Sequence, residues 1–278
     1  MIVALPAADG KSFDFVDPTN KYLIPLAGAA PTGLESRTAL ILDRTAPRLA
    51  ATPAHTAPSE ILAKRDITVR SDTDAALTDS ISFTGTRAAR LRALLAPLPP
   101  LDRIATVRTL IGFDRLSHHV SDIRIHNIKE LQSPLRLTIQ WEARRAVRSE
   151  QGLLRLTLPT VIESHLLSSG TRDEESDDTL PLHLTSAVHI RSEAVLHMPP
   201  GHTLAPHAPA SADTPFGKWS LTITPPDAKR TARITWDCTL PPATLTAAQR
   251  RLFTDFTHDS LRQLQGEWDF TAESVAGQ

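Results

Sequence analysis

One cysteine, Cys238, is all that 278 residues offer for thiol chemistry, so no internal disulfide framework can staple this chain. The formal net charge is −1, which removes the electrostatic case for nucleic acid or an anionic membrane surface as partner. No apolar run is long enough for a transmembrane helix, and no secretory leader pattern begins the sequence. There is no glycine loop that could cradle a phosphate and no Ser-His-Asp arrangement. The 11 histidines include no His-x-His, and no His-x-x-x-His on a helix beside an acid, so no cofactor or metal is expected and the histidines read as scattered surface groups. The acidic run Asp173-Glu174-Glu175-Ser176-Asp177-Asp178 lacks the glycine and spaced oxygens of a calcium loop and reads as solvated.

What is abundant is proline, 22 residues, against a single tyrosine. Proline has no N–H to donate to a ladder, so many prolines between short apolar segments predict a β-rich chain with hard strand ends. Two short strands open it, Met1–Pro6 and Ser12–Val16, joined through Asp9-Gly10, a strong hairpin signal. The second strand delivers Asp17, and Pro18 stops it. A stretch rich in Pro, Gly and Ala follows from Leu23 to Leu34, then a short strand at Thr38–Asp43. The three prolines between Pro47 and Pro58 mark the boundary between residues 1–52 and a domain at 53–278.

In that domain Glu60–Arg70 alternates, with Ile61, Ala63, Ile67 and Val69 on one face and Arg65 as the one polar residue among them. Leu77, Ile81 and Phe83 continue the return strand. A helical insertion over about 86–112 follows: a first helix with Leu91, Leu94 and Leu95 on its apolar side, then, after Pro97, Pro99 and Pro100, a second presenting Ile104, Val107, Leu110 and Ile111. Strands then run at Ser121–Ile128, Pro134–Ala143, Leu153–Val161 and Leu180–Met198. In Pro134–Ala143, Leu135, Leu137, Ile139 and Trp141 point inward and Arg136, Thr138, Gln140 and Glu142 outward. Trp219, Leu221 and Ile223 share a face, as do Ala232, Ile234, Trp236, Cys238 and Leu240, which makes Cys238 a small core residue. Arg136, Arg144, Arg145 and Arg148, interleaved with Glu142 and Glu150, read as a solvated sheet face. Thr246-Ala247-Ala248-Gln249 is a capping box opening a helix over about 247–265, with Phe253, Phe256, Leu261 and Leu264 apolar. About eight or nine strands with turn punctuation give the fold class: mainly β, a sandwich with a helical insertion and a C-terminal helix, preceded by a β-hairpin.

Ile2-Val3-Ala4, a hairpin, and then Asp17-Pro18-Thr19 resemble the end of the catalytic core in bacterial transglutaminase-like proteins, where a strand Asn-His-Val-Ile-Val-Ala precedes a hairpin and Asp-Pro-Thr. The order of helical pair, alternating strands, aromatic hairpin and final helix resembles the region following that core. The resemblance implies that Asp17 is the inherited third member of a Cys-His-Asp triad, the group that orients the histidine. The matching histidine would fall just before the valine that Met1 replaces, and the cysteine further upstream. One third of a triad is no enzyme, and Asp17 is expected to be inactive here. The competing reading of Asp17 is turn chemistry, its carboxylate capping backbone N–H groups. The resemblance further implies a non-catalytic sandwich that supports or presents a cysteine- and histidine-bearing segment, or another protein, with a periplasmic or envelope location. The alternative is a free-standing binding or structural module of a bacterial envelope. Arginine outnumbers lysine by 24 to 6, as in GC-rich coding sequences, and valine's GTG codon can serve as a start. Met1 is therefore expected to stand at an internal valine codon or at the start of a truncated gene.

Overall fold

The structure, a computed structural model, describes all residues except 1, 10–11, 25–26, 32, 43–46, 71–72, 112–117, 151–152, 158–180, 185, 228–229, 265–266 and 273–278. In chain order the elements are β1 (Val3–Pro6), β2 (Phe13–Val16), β3 (Thr38–Ile41), β4 (Arg48–Ala51), β5 (Ser59–Val69), β6 (Ala75–Phe83), α1 (Gly85–Leu95), α2 (Pro100–Leu110), β7 (His118–His126), β8 (Leu135–Ala143), β9 (Val147–Glu150), β10 (Leu153–Thr157), β11 (Leu182–Leu184), β12 (Val188–His197), β13 (His202–Leu204), β14 (Ala210–Thr214), β15 (Gly217–Thr224), β16 (Thr231–Leu240), β17 (Ala243–Leu245), α3 (Ala247–Leu264) and β18 (Glu267–Ala272). Met1, the acidic run 173–178 and the expected strand continuation to Val161 lie outside the described residues.

The chain is mainly β. Its centre is an eight-stranded sheet in the order β14-β15-β16-β12-β5-β6-β8-β7. Neighbours are antiparallel except β12 and β5, which run parallel from Val188↔Ser59 to His197↔Thr68. This is the one parallel pair between neighbouring strands of that sheet. It arises because the chain leaves β5 and returns beside it only after the helices and six further strands, a long connection that alternation within a strand does not reveal. A second sheet, β13-β18-β10-β9, contributes Leu156, Trp268 and Phe270 to the same continuous core as Ile61, Leu137 and Trp236. The inward positions read in β8, Leu135, Leu137, Ile139 and Trp141, are all buried, as are Trp219 and Leu221 in β15 and Ala232 to Leu240 on alternate positions of β16. Each buries a large apolar surface at about 25 cal/mol per Å², so two alternating faces pressed together outweigh the ordering of their strands.

The helical insertion forms as α1 and α2, with Pro100 at the first position of α2, where a missing N–H costs nothing. Arg103 joins them: its Nε donates to the Leu95 carbonyl and its Nη2 to the Ala96 carbonyl, both at 2.9 Å, satisfying acceptors that the end of α1 leaves open. The buried side of α1 differs from the expected Leu91-Leu94-Leu95 stripe. Leu94 is exposed, and the buried residues are Arg87, Ala88, Ala89, Arg92 and Leu95. Arg92 is drawn under the helix because carbonyls accept from its guanidinium there, which side-chain hydropathy does not register.

The span Leu180–Met198 is broken into β11, which pairs with β17, and β12 in the large sheet. His183 and His189 therefore lie in different sheets. The capping box of α3 is closed reciprocally, Gln249 Oε1 accepting from Thr246 N–H at 3.0 Å and Thr246 Oγ1 from Gln249 N–H at 3.4 Å. After α3 the chain adds β18, a strand absent from the sequence reading. Its pattern is short, and it is defined by pairing with β10 and β13 on either side.

Candidate functional site: the N-terminal hairpins and Asp17

Residues 1–52 build two small two-stranded sheets, β1-β2 and β3-β4. In β1-β2 the register Ala4↔Phe15 and Pro6↔Phe13 puts the aromatics on one face, with ring centroids 6.4 Å apart. The Arg48 guanidinium of β4 lies over the Phe13 ring at 4.5 Å. Between the two hairpins an open cleft of about 680 Å³ is lined by Ser12, Phe13, Asp14, Arg48 and Leu49. Its acids are engaged locally: Asp14 Oδ1 accepts from Gly28 N–H at 3.1 Å, and Asp9 accepts from both the N–H and the hydroxyl of Ser12. The segment is laced to the boundary region by Ala30 N–H donating to the His55 carbonyl at 2.8 Å and Ser36 N–H to the Pro53 carbonyl at 3.0 Å. The Thr52 hydroxyl bonds the carbonyls of Leu34 and Arg37.

Uncovered apolar side chains are concentrated in this segment. Val3, Leu5, Ile24, Leu40, Leu42 and Leu49 are six of the nine exposed large hydrophobic residues among those described, although the segment is only 52 of 278 residues. Leu40 and Leu49 are direct cross-strand partners, 59% and 70% exposed. Phe15, Ala30 and Ile41, buried in this segment, are not part of the continuous core that the two large sheets share.

Asp17 stands half-buried just past β2. Its Oδ1 accepts from the Thr19 hydroxyl at 2.6 Å and from the Thr19 N–H at 2.9 Å, and its carbonyl accepts from Asn20 N–H at 3.3 Å. The Thr19 hydroxyl, then the Thr19 N–H, hold its carboxyl below the usual range, so it is ionised at neutral pH. Both side-chain bonds fall on one oxygen. Phe15, Leu23, Ile24 and Ala57 close over a space of about 20 Å³ beside it, room for little more than one water. The geometry is that of a turn-capping aspartate; among the described residues no histidine or cysteine is bonded to it.

The other candidate groups are dispersed. Cys238 is buried in β16, and burial pushes its thiol up to about 12. Ser260 of α3 is the residue beside it, its hydroxyl buried. His189 and His197 hydrogen-bond Asp237 and Asp66, each at 2.9 Å, on the solvent face of the large sheet, and His183 pairs with Thr244. Among the described residues no three metal-ligating side chains converge. Glu142 pairs with Arg70 at 2.6 Å and Glu150 with Arg155, so the exposed Arg136, Arg144, Arg145 and Arg148 are interleaved with acids that bond elsewhere.

The polar centre that the sequence reading missed is Asp79. It is fully buried in β6, opposite Arg65 in register. Arg65 donates to it in bidentate fashion, Nε to Oδ1 at 2.7 Å and Nη2 to Oδ2 at 3.1 Å, and the Trp141 indole donates to Oδ2 at 2.7 Å. The available signal was phase: Asp79 falls between Leu77 and Ile81 on their face, as Arg65 does between Ala63 and Ile67. No family model, curated protein or solved structure matches the chain.

Proposed function

We propose that this chain is a non-catalytic β-sheet region that supports or presents a second polypeptide segment, one carrying the cysteine and histidine of a transglutaminase-like triad, docked through residues 1–52. The observation that carries this reading is the concentration of uncovered apolar side chains on the two N-terminal hairpins, above all the paired Leu40 and Leu49. Apolar surface of this kind is what a protein partner covers, and two-stranded sheets offer unpaired edges to which its strands can add. Asp17 supports it further: it is ionised, and with both bonds on Oδ1 its second oxygen can accept from an imidazole N–H supplied by that partner. By itself the chain performs no acyl transfer, because its one thiol is buried and protonated.

The test places a photo-crosslinking amino acid at Leu49 in the protein's native cells and identifies the product by mass spectrometry. The expected product joins Leu49 to a polypeptide bearing a reactive cysteine and a histidine, and the yield falls when Leu40→Lys is added. Products with envelope polysaccharide-associated proteins lacking such a pair would favour the free-standing envelope module instead. Turnover of a glutamine or amide substrate by the purified chain that survives Cys238→Ala and vanishes in Asp17→Asn would overturn the non-catalytic reading.

A further inference from the structure

Where the N-terminal segment meets the large sheet there is a cavity of about 250 Å³, separate from the hairpin cleft. Its lining includes Tyr22, Leu23 and Ile24 of the N-terminal segment, Leu131, Thr84 and Arg92. Among the described residues of the lining Arg92 is the only charged one, and it is 3% exposed. Its Nη2 donates to the carbonyls of Asn127, Glu130 and Ser133 at 2.6–3.2 Å, which fixes the guanidinium against the turn before β8. Nη2 carries only two of the five guanidinium N–H groups, however, and the buried Nε–H has no hydrogen-bond partner. Among the described residues no carboxylate pairs with Arg92. A buried cation met only by neutral carbonyls is costly, and its own burial pulls the Arg92 pKa down.

The N-terminal end of α1, at Gly85, also lines the cavity, about two turns from Arg92 in the last turn of the helix. The first turn of α1 has no acidic residue, and Thr84 does not cap it; the Thr84 hydroxyl oxygen instead accepts from Glu60 N–H at 3.0 Å. Arg87, on the same helix, is buried, and burial, with Arg90 beside it, pushes its pKa down to about 10.

We infer that this cavity binds a small organic monocarboxylate, its carboxylate on Arg92 and its short apolar tail against Leu23, Ile24 and Leu131. One negative charge matches the single lining cation. A doubly charged phosphate would be set against the three carbonyls that surround the guanidinium, and the mostly apolar walls would leave it unsolvated. The site shares Ile24 with the uncovered apolar residues described above but does not include Leu40 or Leu49, and it does not depend on docking there.

The test titrates full-length protein with hexanoate, with inorganic phosphate and with hexanol, followed by calorimetry and by the thermal midpoint. Hexanoate is expected to bind saturably and raise the midpoint, with hexanol and phosphate at least tenfold weaker, about 1.4 kcal/mol. Arg92→Lys, which keeps the charge and loses the planar fork, is expected to weaken hexanoate by about the same factor. Should Arg92→Lys fail to fold, Ile24→Trp, on the exposed wall, decides: it fills the tail region and is expected to abolish binding in a folded protein. No saturable binding of hexanoate, binding unchanged in Arg92→Lys or in folded Ile24→Trp, or phosphate bound as tightly as hexanoate would each overturn the assignment.

Discussion

Replacing Asp79 by leucine tests whether the Arg65–Asp79–Trp141 centre is a paired polar unit within the core. The carboxylate has no solvent exposure and Arg65 only 9%, so the substitution leaves a guanidinium in apolar surroundings and removes the acceptor of the Trp141 indole. Breaking a buried ion pair by deleting one partner costs about 3–5 kcal/mol, since the remaining charge keeps its desolvation penalty and loses its compensation. Removing both charges is a different perturbation. Arg65→Met with Asp79→Leu leaves no buried ion, and replacement of such pairs by apolar residues of similar volume is often neutral or stabilising by about 1–4 kcal/mol. Against this stands the stranded Trp141 N–H, worth about 1–3 kcal/mol. The double variant is therefore expected within about 2 kcal/mol of the parent, and the single variant well below it. Urea unfolding of the parent, both single variants and the double, followed by tryptophan fluorescence, gives the complete cycle. A single Asp79→Leu costing under about 1 kcal/mol, or a double variant no more stable than the single, would refute the reasoning.

Cys238 is expected to resist aromatic disulfide reagents at pH 8 in the native state and to react at once in denaturant; fast native labelling would show the thiol accessible. Because its folded pKa is raised to about 12 from 9.0, its contribution to stability is fully present below pH 9 and is lost as pH climbs toward 12. The urea midpoint of the parent should accordingly fall more steeply over that range than that of Cys238→Ala. Truncating the fully buried Trp236 to alanine should cost about 3–5 kcal/mol in the same unfolding assay. Gly85→Ala should destabilise sharply, because the backbone there has φ +58° and an added Cβ would stand 2.1 Å from the Pro58 carbonyl oxygen; a thermal midpoint unchanged by the substitution would contradict that packing.

The sequence by itself determined the inward faces of the strands that lie wholly within one sheet. In β5, β8 and β16 the side-chain period of two meets a core on one side and water on the other, so hydropathy alone assigns Ile61, Leu137 and Trp236 to the interior. The helix that follows Thr246 was legible for a similar reason, its capping box being a local exchange of hydrogen bonds between Thr246 and Gln249. Tyr22, Leu131 and Arg92 carry no such local pattern. They come from segments far apart in the chain, and only the packing of the N-terminal segment against α1 brings them around one cavity. The same holds for Asp79, an apparently misplaced acid until the β5-β6 register sets it opposite Arg65, and for β18, whose strand character depends on β10 and β13 arriving on its two sides. Periodicity reports what a residue does with its immediate neighbours; pairings across many residues are decided by loop closure, register and the burial of charge, and these exist only once the chain has folded.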